Sequence, residues 1–556
     1  MSRVVFNTTF DQDEKIWSGK RFNTLYNPNV TLGQVILNTL NMIPEKVVQI
    51  SAETDQKLTA MQMVGLSVRA SQNYERLGYK QDDVIGLVAS NTHYLAPLVF
   101  GAFLNGIIIN PLDPSFNKGE IKHMFDITKP KAVFCDSGVY ENVKEALKEI
   151  ECTSPIFILD NGKTHASSVL EFLKPTGKEL SFIPPQLHQG KDQIAAIVCS
   201  SGTSGLPKGV IVTHRYLILY YFYRSLPNSE VCFSFSTLYW LSGLTLLVMG
   251  TLRCFTRIIV DQPFSPELLL FLIQKYNISM VVAPPSQMVL TVQSAHFKTQ
   301  DLSSLKYYIC GGSAVPLNTA LEMKKHLPNV SIWISYALSE TGGNVTFAFD
   351  LNNSVGQVAP NVKVKILDEH GKPLGVGVQG EICVKFMYKL YGYYRNIEET
   401  TNTFDKDNWL HTGDIGYFDE QGFLYVVDRK KEIMKYKNFH FSPTEIEHVI
   451  MGIPDVVECC VFGTPDIVAT DLPTAAVVKK EGSTLTEDDI RNYVAAQMAE
   501  FKQLKGGVYF TNLLPKTASG KIIRRKVKEF VDKRIELYQN LINYYYYFIL
   551  LVIQSK

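Results

Sequence analysis

A loop rich in glycine and hydroxyl side chains separates two apolar, strand-like segments near the middle of the chain. Residues 194–200 have the pattern of a buried strand, residues 210–213 resume it, and a helical pattern begins at His214. The loop offers backbone N–H groups, hydroxyls and one lysine, which together suit a polyphosphate. The sequence predicts a phosphate-binding loop, although an unliganded surface loop can have the same composition. Its candidate residues are Ser200, Ser201, Gly202, Thr203, Ser204, Gly205 and Lys208.

The loop does not have the sequence of a Walker loop. A Walker lysine stands between glycine and a hydroxyl residue, whereas Lys208 follows proline and precedes glycine. The glycines Gly375, Gly377 and Gly380 match the spacing of a dinucleotide-binding fingerprint, but residues 381–384 continue as a strand where that fingerprint needs a helix. A hairpin turn is therefore expected there, and neither common nucleotide motif applies.

The length and local patterns indicate an α/β chain with more than one folded unit. At 556 residues the chain exceeds what one ordinary core accommodates. Residues 59–77 have the period of an amphipathic helix and residues 84–89 that of a buried strand, a texture that continues to about residue 190. Short strands and turns at 362–384 suggest a β-barrel-like part. The charged connector at 428–432 precedes a smaller α+β region, so we place a domain boundary there.

The charge balance argues against nucleic acid as a partner, and the cysteine pattern argues against disulfide and zinc sites. Lys plus Arg total 55 against 54 Asp plus Glu, so no global field attracts nucleic acid. Nine scattered cysteines without a CxxC pair suggest neither a disulfide framework nor a zinc site, and they favour an intracellular location. Residues 541–553 are apolar but shorter than the roughly 20 residues of a spanning helix. They suggest a packing tail or a peripheral membrane contact.

Five further motifs follow the loop in order and reveal a resemblance. They are Tyr-Ala-Leu-Ser-Glu at 336–340, Gly-Glu-Ile at 380–382, Trp-Leu-His-Thr-Gly-Asp at 409–414, Asp-Arg-Lys-Lys at 428–431 and Leu-Pro-Lys-Thr-Ala-Ser-Gly-Lys at 514–521. With the loop, they resemble the motifs of acyl-adenylate-forming enzymes, the family of beetle luciferases and 4-coumarate-CoA ligases. The resemblance spans roughly residues 30 to 535.

The resemblance implies a two-domain enzyme. We expect a large N-terminal domain of parallel sheets with helices and a small β-barrel-like part, followed by a smaller mobile α+β domain. The expected boundaries are 1–428 for the AMP-binding domain, 429–431 for the hinge, 432–535 for the C-terminal domain and 536–556 for an atypical apolar tail.

The implied activity is that of an ATP-dependent acid:CoA ligase acting on a hydrophobic acid, such as a medium- or long-chain fatty acid. ATP would be used with Mg²⁺, and coenzyme A would be the cosubstrate. A carboxylate must attack the α-phosphorus of ATP, so positive charge has to surround two reacting anions. A luciferin-type monooxygenase and a catalytically weak binding homologue are the alternatives.

The resemblance also assigns roles to single residues. It implies that Lys521 assists adenylation, that Glu340 binds magnesium and that Lys435 acts in thioester formation after rotation about Lys431. Nucleotide contacts are implied for the loop residues and for Gly311, Gly312, Tyr336, Ser339, Asp414 and Arg429. Asp414 can accept both ribose hydroxyls.

Two departures from the family pattern bear on substrate and compartment. Trp240 stands where luciferases and many ligases have histidine, so we expect it, with Ser313, in the acyl pocket; core packing is an equal alternative for the indole. The chain ends Ile-Gln-Ser-Lys, whereas peroxisomal members often end in Ser-Lys-Leu. A peroxisomal location then follows from the resemblance alone, with the cytoplasm as the alternative.

Overall fold

In the computed structural model, the chain folds into two compact units. The structure describes residues 7–22, 27, 29–160, 162, 164–201, 207–219, 230–430, 432–436, 439–466, 469–516 and 522–534. Unit 1 comprises Met1–Lys365, Cys383–Thr412 and Asp419–Leu424. Unit 2 comprises Ile366–Ile382, Gly413–Phe418 and Tyr425–Lys556. The domain boundary expected at residue 428 stays a prediction.

A seven-stranded sheet forms one layer of unit 1. Its strands are parallel except the first, which runs antiparallel to its neighbour. Burial of all five residues of the strand at 84–88 explains its unbroken apolar sequence. In sheet order the strands are Pro207–Thr213, Ile194–Ser201, Ile108–Leu112, Val84–Val88, Ala132–Cys135, Ile156–Ile158 and Ser167–Ser168.

A nine-stranded mixed sheet forms the second layer of unit 1. Its six central strands are parallel, and antiparallel strands extend both ends. In sheet order they are Gln357–Val358, Asn344–Ala348, Ser331–Ala337, Tyr307–Gly311, Met280–Ala283, Val231–Phe233, Thr256–Ile259, Val47–Ser51 and Lys57–Thr59.

Helices cover these sheets, and several begin at sequence-readable caps. Thr59 and Gln62 form a capping box at the start of the predicted helix, which spans Ala60–Arg76 and confirms the periodicity. The remaining helices of unit 1 are Leu32–Asn41, Leu95–Asn105, Lys118–Thr128, Tyr140–Glu149, Val169–Phe172, His214–Leu219, Leu241–Leu252, Pro266–Tyr276, Pro285–Gln293, Leu317–His326 and Ile397–Thr403.

Antiparallel strands carry the chain through the region between residues 362 and 429. The unit boundaries fall inside four of them, after Lys365, Ile382, Thr412 and Leu424. Gly380 begins a strand, as expected for a hairpin and not for a dinucleotide fingerprint. The strands of this region are Val362–Leu367, Gly380–Phe386, Leu410–Phe418 and Leu424–Arg429. The strand Ile16–Ser18 pairs with Val362–Leu367 and with Thr9–Asp11.

Unit 2 contains its own α+β core. A long antiparallel pair, Val456–Asp466 with Thr470–Lys479, supports the helices Pro443–Ile450 and Glu487–Gln497, and residues 524–534 are also helical. The other strands of this sheet are Met434–Tyr436, Phe439–Phe441 and Gly507–Phe510. The large and small α/β parts confirm the predicted fold class.

No helix among the described residues is both long enough and apolar enough to span a membrane. The apolar tail predicted at 536–556 lies outside the described residues.

His214 is buried at the junction between the seven-stranded sheet and the helix that follows it. The Leu32 N–H donates to its Nδ1 at 3.0 Å, so the ring proton resides on Nε2, which has no hydrogen-bond partner among the described residues. The ring also meets Phe103 edge-on at 5.7 Å. Burial lowers the pKa of His214 to about 3, so the folded protein keeps this imidazole neutral.

We predict that unit 1 loses stability as the pH falls from about 6.5 towards 3, because the unfolded chain protonates His214 while the folded chain does not. The expected slope is up to about 1.4 kcal/mol per pH unit. Urea denaturation at pH 7.5 and 5.5 measures it. His214→Asn, which keeps an acceptor for Leu32, should flatten the slope, whereas His370→Asn at an exposed site should not. Equal slopes in all three proteins would contradict the assignment.

Candidate active site

A rigid turn presents Glu340 at the end of a central strand of the nine-stranded sheet. The turn Ser339–Thr341 links Ser331–Ala337 to Asn344–Ala348. Buried Thr341 Oγ1 lies 2.7 and 2.6 Å from the carbonyl oxygens of Leu338 and Gly343. Gly342 has φ +61°, and a Cβ there would lie 2.6 Å from the Tyr216 ring. Only glycine fits this close turn, which holds Glu340 in place.

Tyr393 is the hydrogen-bond partner of Glu340. Its hydroxyl donates to Glu340 Oε1 at 2.8 Å. Burial, and then the Glu340 carboxylate, raise the pKa of Tyr393 above its ordinary value, so the phenol keeps its proton. The same hydrogen bond orients the carboxylate.

Lys208 also contacts Tyr393, through the face of its ring. Its ammonium is 2.5 Å from Glu399 Oε2 and 5.3 Å from the centre of the Tyr393 ring. Only 13% of the Lys208 side chain is exposed, against 36% of Glu399. Lys208 is paired across the strands with Ser200, whose buried Oγ has no partner among the described residues. Lys208, Glu399, Tyr393 and Glu340 therefore form one cluster beside the predicted phosphate loop.

Long-range backbone pairing brings this cluster together. Tyr394 N–H donates to the Gly209 carbonyl at 2.7 Å, Ile211 N–H donates to the Gly392 carbonyl at 3.0 Å, and Val210 forms an isolated bridge with Tyr393. The segment at 392–394 thus adds to the free edge of the strand that carries Lys208. Tyr393 and Glu399 were not predicted from the sequence, because no local pattern reveals which strand edge a segment joins.

The predicted nucleotide glycines lie near the Glu340 turn. Gly311 ends a strand parallel to that of Tyr336, and a Cβ on Gly311 would lie 2.5 Å from Ser335 Oγ. Gly312 has φ +94°, which favours glycine. Because parallel strands end at one edge, Gly311, Gly312 and half-buried Tyr336 share an edge with Ser339 and Glu340. Ser313 follows as an exposed residue.

Trp240 belongs to an aromatic cluster at the start of the helix Leu241–Leu252. It is half-buried, and its ring meets the Tyr239 ring edge-on, with 4.6 Å between the ring centres. The Tyr239 ring in turn meets the Phe116 ring at 5.2 Å. This packing leaves one part of the indole accessible. The acyl-pocket role expected for Trp240 and Ser313 stays a prediction.

Within unit 2, Asp414 and Arg429 form an ion pair. Arg429 Nε lies 2.7 Å from Asp414 Oδ1, and the aspartate is nearly buried while 43% of the arginine side chain is exposed. The structure thus brings together the two residues expected at the ribose. Neighbouring Lys430 pairs with Glu381 at 3.0 Å.

Polar contacts lie on both sides of the predicted hinge. Asp428 accepts hydrogen bonds from the hydroxyls of Ser442 and Thr444, the latter at 2.9 Å, at the start of the helix Pro443–Ile450. On the other side, Arg524 Nε lies 3.1 Å from Glu432 and Arg524 Nη1 lies 2.5 Å from Glu447. The sequence analysis missed Arg524, because its neighbour Arg525 looks identical in sequence.

Several predicted site residues cannot be placed. Ser201 and Lys435 are described by backbone only, Ser201 opposite Pro207 and Lys435 opposite His440 in their sheets. The residues that lie outside the described part of the chain are Gly202, Thr203, Ser204, Gly205, Lys431 and Lys521.

These features define a nucleotide-binding α/β enzyme with a separate C-terminal α+β part, and comparison with known proteins agrees. Residues 38–394 match the model of the AMP-binding enzyme family, and residues 445–521 match its C-terminal domain. This chain belongs to the AMP-binding enzyme family, whose members form acyl-adenylates.

Curated relatives cover most of the chain. Luciferin 4-monooxygenase of Photinus pyralis is 30% identical over 513 residues, which are 88% of this chain and 92% of that protein. The 4-coumarate–CoA ligase-like protein 6 of Arabidopsis thaliana is 31% identical over 83% of this chain and 84% of its own. The 4-coumarate–CoA ligase of Vanilla planifolia is 29% identical over 93% and 97%.

Solved structures share the fold. ATP-bound MatB from Rhodopseudomonas palustris superposes with a TM-score of 0.81 at 23% identity, covering 90% of this chain and 99% of MatB. The anthranilate CoA ligase AuaEII in complex with anthranoyl-AMP gives 0.82 at 20% identity, covering 91% and 98%. The luciferase-like enzyme of the nonluminescent Zophobas morio mealworm gives 0.70 at 24%, covering 75% and 100%.

We predict that Arg524→Met destabilises unit 2 by about 2–4 kcal/mol, because it leaves the Glu447 carboxylate, only 18% exposed, without its cation. The matched change Arg525→Met, at a side chain that is 67% exposed, should cost less than about 0.5 kcal/mol. Urea denaturation of both variants tests this. Equal losses would show that the buried pair contributes nothing beyond a surface ion pair.

Proposed function

We propose that this chain is an ATP-dependent, AMP-forming acid:CoA ligase that activates a hydrophobic carboxylic acid, a medium- or long-chain fatty acid being the favoured class. The observation that carries the proposal is the cluster of Lys208, Tyr393 and Glu340 beside the loop at 200–209. Membership of an adenylate-forming family that includes CoA ligases supports it.

The first half-reaction needs charge neutralisation. A carboxylate oxygen attacks the α-phosphorus of ATP, the new O–P bond forms and pyrophosphate leaves. Lys208 would pair with the polyphosphate and Lys521 with the reacting oxygens, because two anions must approach each other. The oriented Glu340 carboxylate fits a magnesium ion whose other ligands are phosphate and water oxygens. Mg²⁺ would supply further positive charge at the polyphosphate.

The second half-reaction transfers the acyl group. The sulfur of coenzyme A attacks the acyl carbonyl, the thioester bond forms and AMP leaves with the electrons of the acyl–phosphate bond. Lys435 is proposed to act at this stage. Asp414 and Arg429, paired with each other in unit 2, are suited to hold the ribose through both steps.

A luciferin-type monooxygenase is the second candidate function. The identity to the luciferin 4-monooxygenase of Photinus pyralis favours it. Trp240 argues against it, because indole offers neither the acid–base chemistry nor the small contact of the histidine in the family pattern. Light emission on addition of ATP and a luciferin would support the monooxygenase. A binding homologue without catalysis would instead release no pyrophosphate with any acid.

The location is proposed from the family resemblance, with peroxisome favoured over cytoplasm. Peripheral membrane contact through residues 536–556 is proposed from their apolar sequence. Fractionation of cells that express the full chain, with and without those residues, tests both.

We predict CoA-dependent turnover on at least one apolar acid of more than about six carbons, because the aromatic cluster at Trp240 suits an apolar chain. The measurement is pyrophosphate release with fatty, branched and aromatic acids, with and without CoA and Mg²⁺. Exclusive use of acetate or of an amino acid would overturn the proposed substrate class.

We predict that Lys521→Ala and Lys435→Ala separate the two half-reactions. Lys521→Ala should slow pyrophosphate release by about 100-fold or more, since the like-charged reactants lose a cation. It should still convert preformed acyl-adenylate and CoA to thioester. Lys435→Ala should show near-normal pyrophosphate release followed by slow thioester formation. Loss of the same half-reaction to the same degree in both variants would refute the assignment of the two lysines.

A further inference from the structure

Lys208, the cation that the proposed reaction needs at the polyphosphate, forms an ion pair with Glu399. The two residues lie 191 positions apart in sequence, and their side-chain atoms approach to 2.5 Å. Lys208 Nζ also faces the Tyr393 ring. The charge of Lys208 is thus neutralised by a carboxylate of the protein itself.

Lys208 cannot pair with a triphosphate and with Glu399 at the same time without a cost in free energy. Both are anionic, and the site is only partly open to solvent, so their mutual repulsion is weakly screened. One of them has to withdraw. Glu399 is the partner able to do so, because its side chain is 36% exposed and lies in the first turn of the short helix Ile397–Thr403. Lys208 is held by its strand and is 13% exposed.

The neighbouring carboxylate of Glu399 offers an internal comparison. Glu398 is the preceding residue of the same helix, and it is exposed to solvent. The two glutamates have the same charge and nearly the same position relative to the helix terminus. A general effect of negative charge at this helix would therefore appear with both, whereas a specific effect on Lys208 requires Glu399.

We propose that Glu399 is a counter-ion of Lys208 in the nucleotide-free site, that ATP displaces it, and that Glu399 thereby weakens the affinity for ATP. The inference rests on the proposed function, since it assumes that Lys208 receives the polyphosphate. Binding of ATP exchanges one partner of Lys208 for another. The protein keeps a largely buried lysine neutralised between turnovers, and the nucleotide must overcome that pairing.

Glu399→Gln tests the exchange, because the amide keeps the size of the side chain and removes its charge. We expect the Kd for ATP, measured by calorimetry, to fall about two- to fivefold, the range of a partly exposed ion pair. The Kd for AMP, which lacks the β- and γ-phosphates, should change less. Glu398→Gln should leave both unchanged. Glu399→Ala is the second variant, and thermal unfolding confirms that each protein is folded.

A double mutant identifies the route of the effect. In a Lys208→Gln background, Glu399→Gln should bring no gain in ATP affinity, since no cation is left to release. A weaker ATP affinity in Glu399→Gln would mean that Glu399 positions Lys208, and it would overturn the displacement. An unchanged affinity, or equal gains for AMP and ATP, would overturn it too.

The binding measurements also separate this inference from the proposed function. If the wild-type chain binds ATP but releases no pyrophosphate with any acid, the ligase proposal fails, and the Kd values still decide the role of Glu399. If pyrophosphate release is normal and Glu399→Gln binds ATP like the wild type, only the counter-ion inference fails.

Discussion

The addition of residues 392–394 to the edge of the strand Pro207–Thr213 is the constraint on which the candidate site depends. Two backbone hydrogen bonds, from Tyr394 to Gly209 and from Ile211 to Gly392, make this contact. Without it, Tyr393 would reach neither Lys208 nor Glu340, and Glu399 would not follow on the next helix. Four side chains from three distant segments become neighbours because one short segment completes a sheet edge.

Within this arrangement the charged side chains of the site are paired with groups of the protein itself. Glu340 accepts the hydrogen bond of a phenol, and Lys208 is held by a carboxylate and an aromatic ring. A lysine or glutamate left without partners in such a partly buried place would be strongly destabilising. A site that must receive a polyphosphate and a divalent cation therefore carries temporary partners for its own charged groups. Ligand affinity then depends on the difference in free energy between the contacts that the ligand forms and the contacts within the protein that it replaces.

Local sequence patterns predicted the helices and strands well, but they did not predict the long-range contacts. The apolar run before the loop and the Thr59 capping box gave Ile194–Ser201 and Ala60–Arg76 nearly to the residue, because periodicity and caps act over a few positions. The resemblance singled out Gly311, Tyr336 and Glu340, which the structure places at one sheet edge. It did not give Tyr393 or Glu399.

Adjacent, chemically identical residues show why the remainder could not be predicted. Arg524 lies between two carboxylates with 18% of its side chain exposed, while the Arg525 side chain is 67% exposed. Glu399 pairs with Lys208 while Glu398 faces solvent. In each pair the distinction is made by elements far away in the sequence. Helical spacing alone leaves both members of each pair equally plausible.

The polar contacts around the predicted hinge limit how it can move. Asp428 precedes the hinge and bonds to Ser442 and Thr444, which follow it, so rotation about 429–431 would have to break those hydrogen bonds. The pair between Glu432 and Arg524 lies entirely beyond the hinge and would be kept. A rotating C-terminal part would therefore carry Arg524 and Glu432 as one body, and the bonds of Asp428 would be the contacts exchanged between two poses. Each bond to this carboxylate is charge-assisted, so breaking it would cost free energy unless another donor replaced Ser442 or Thr444.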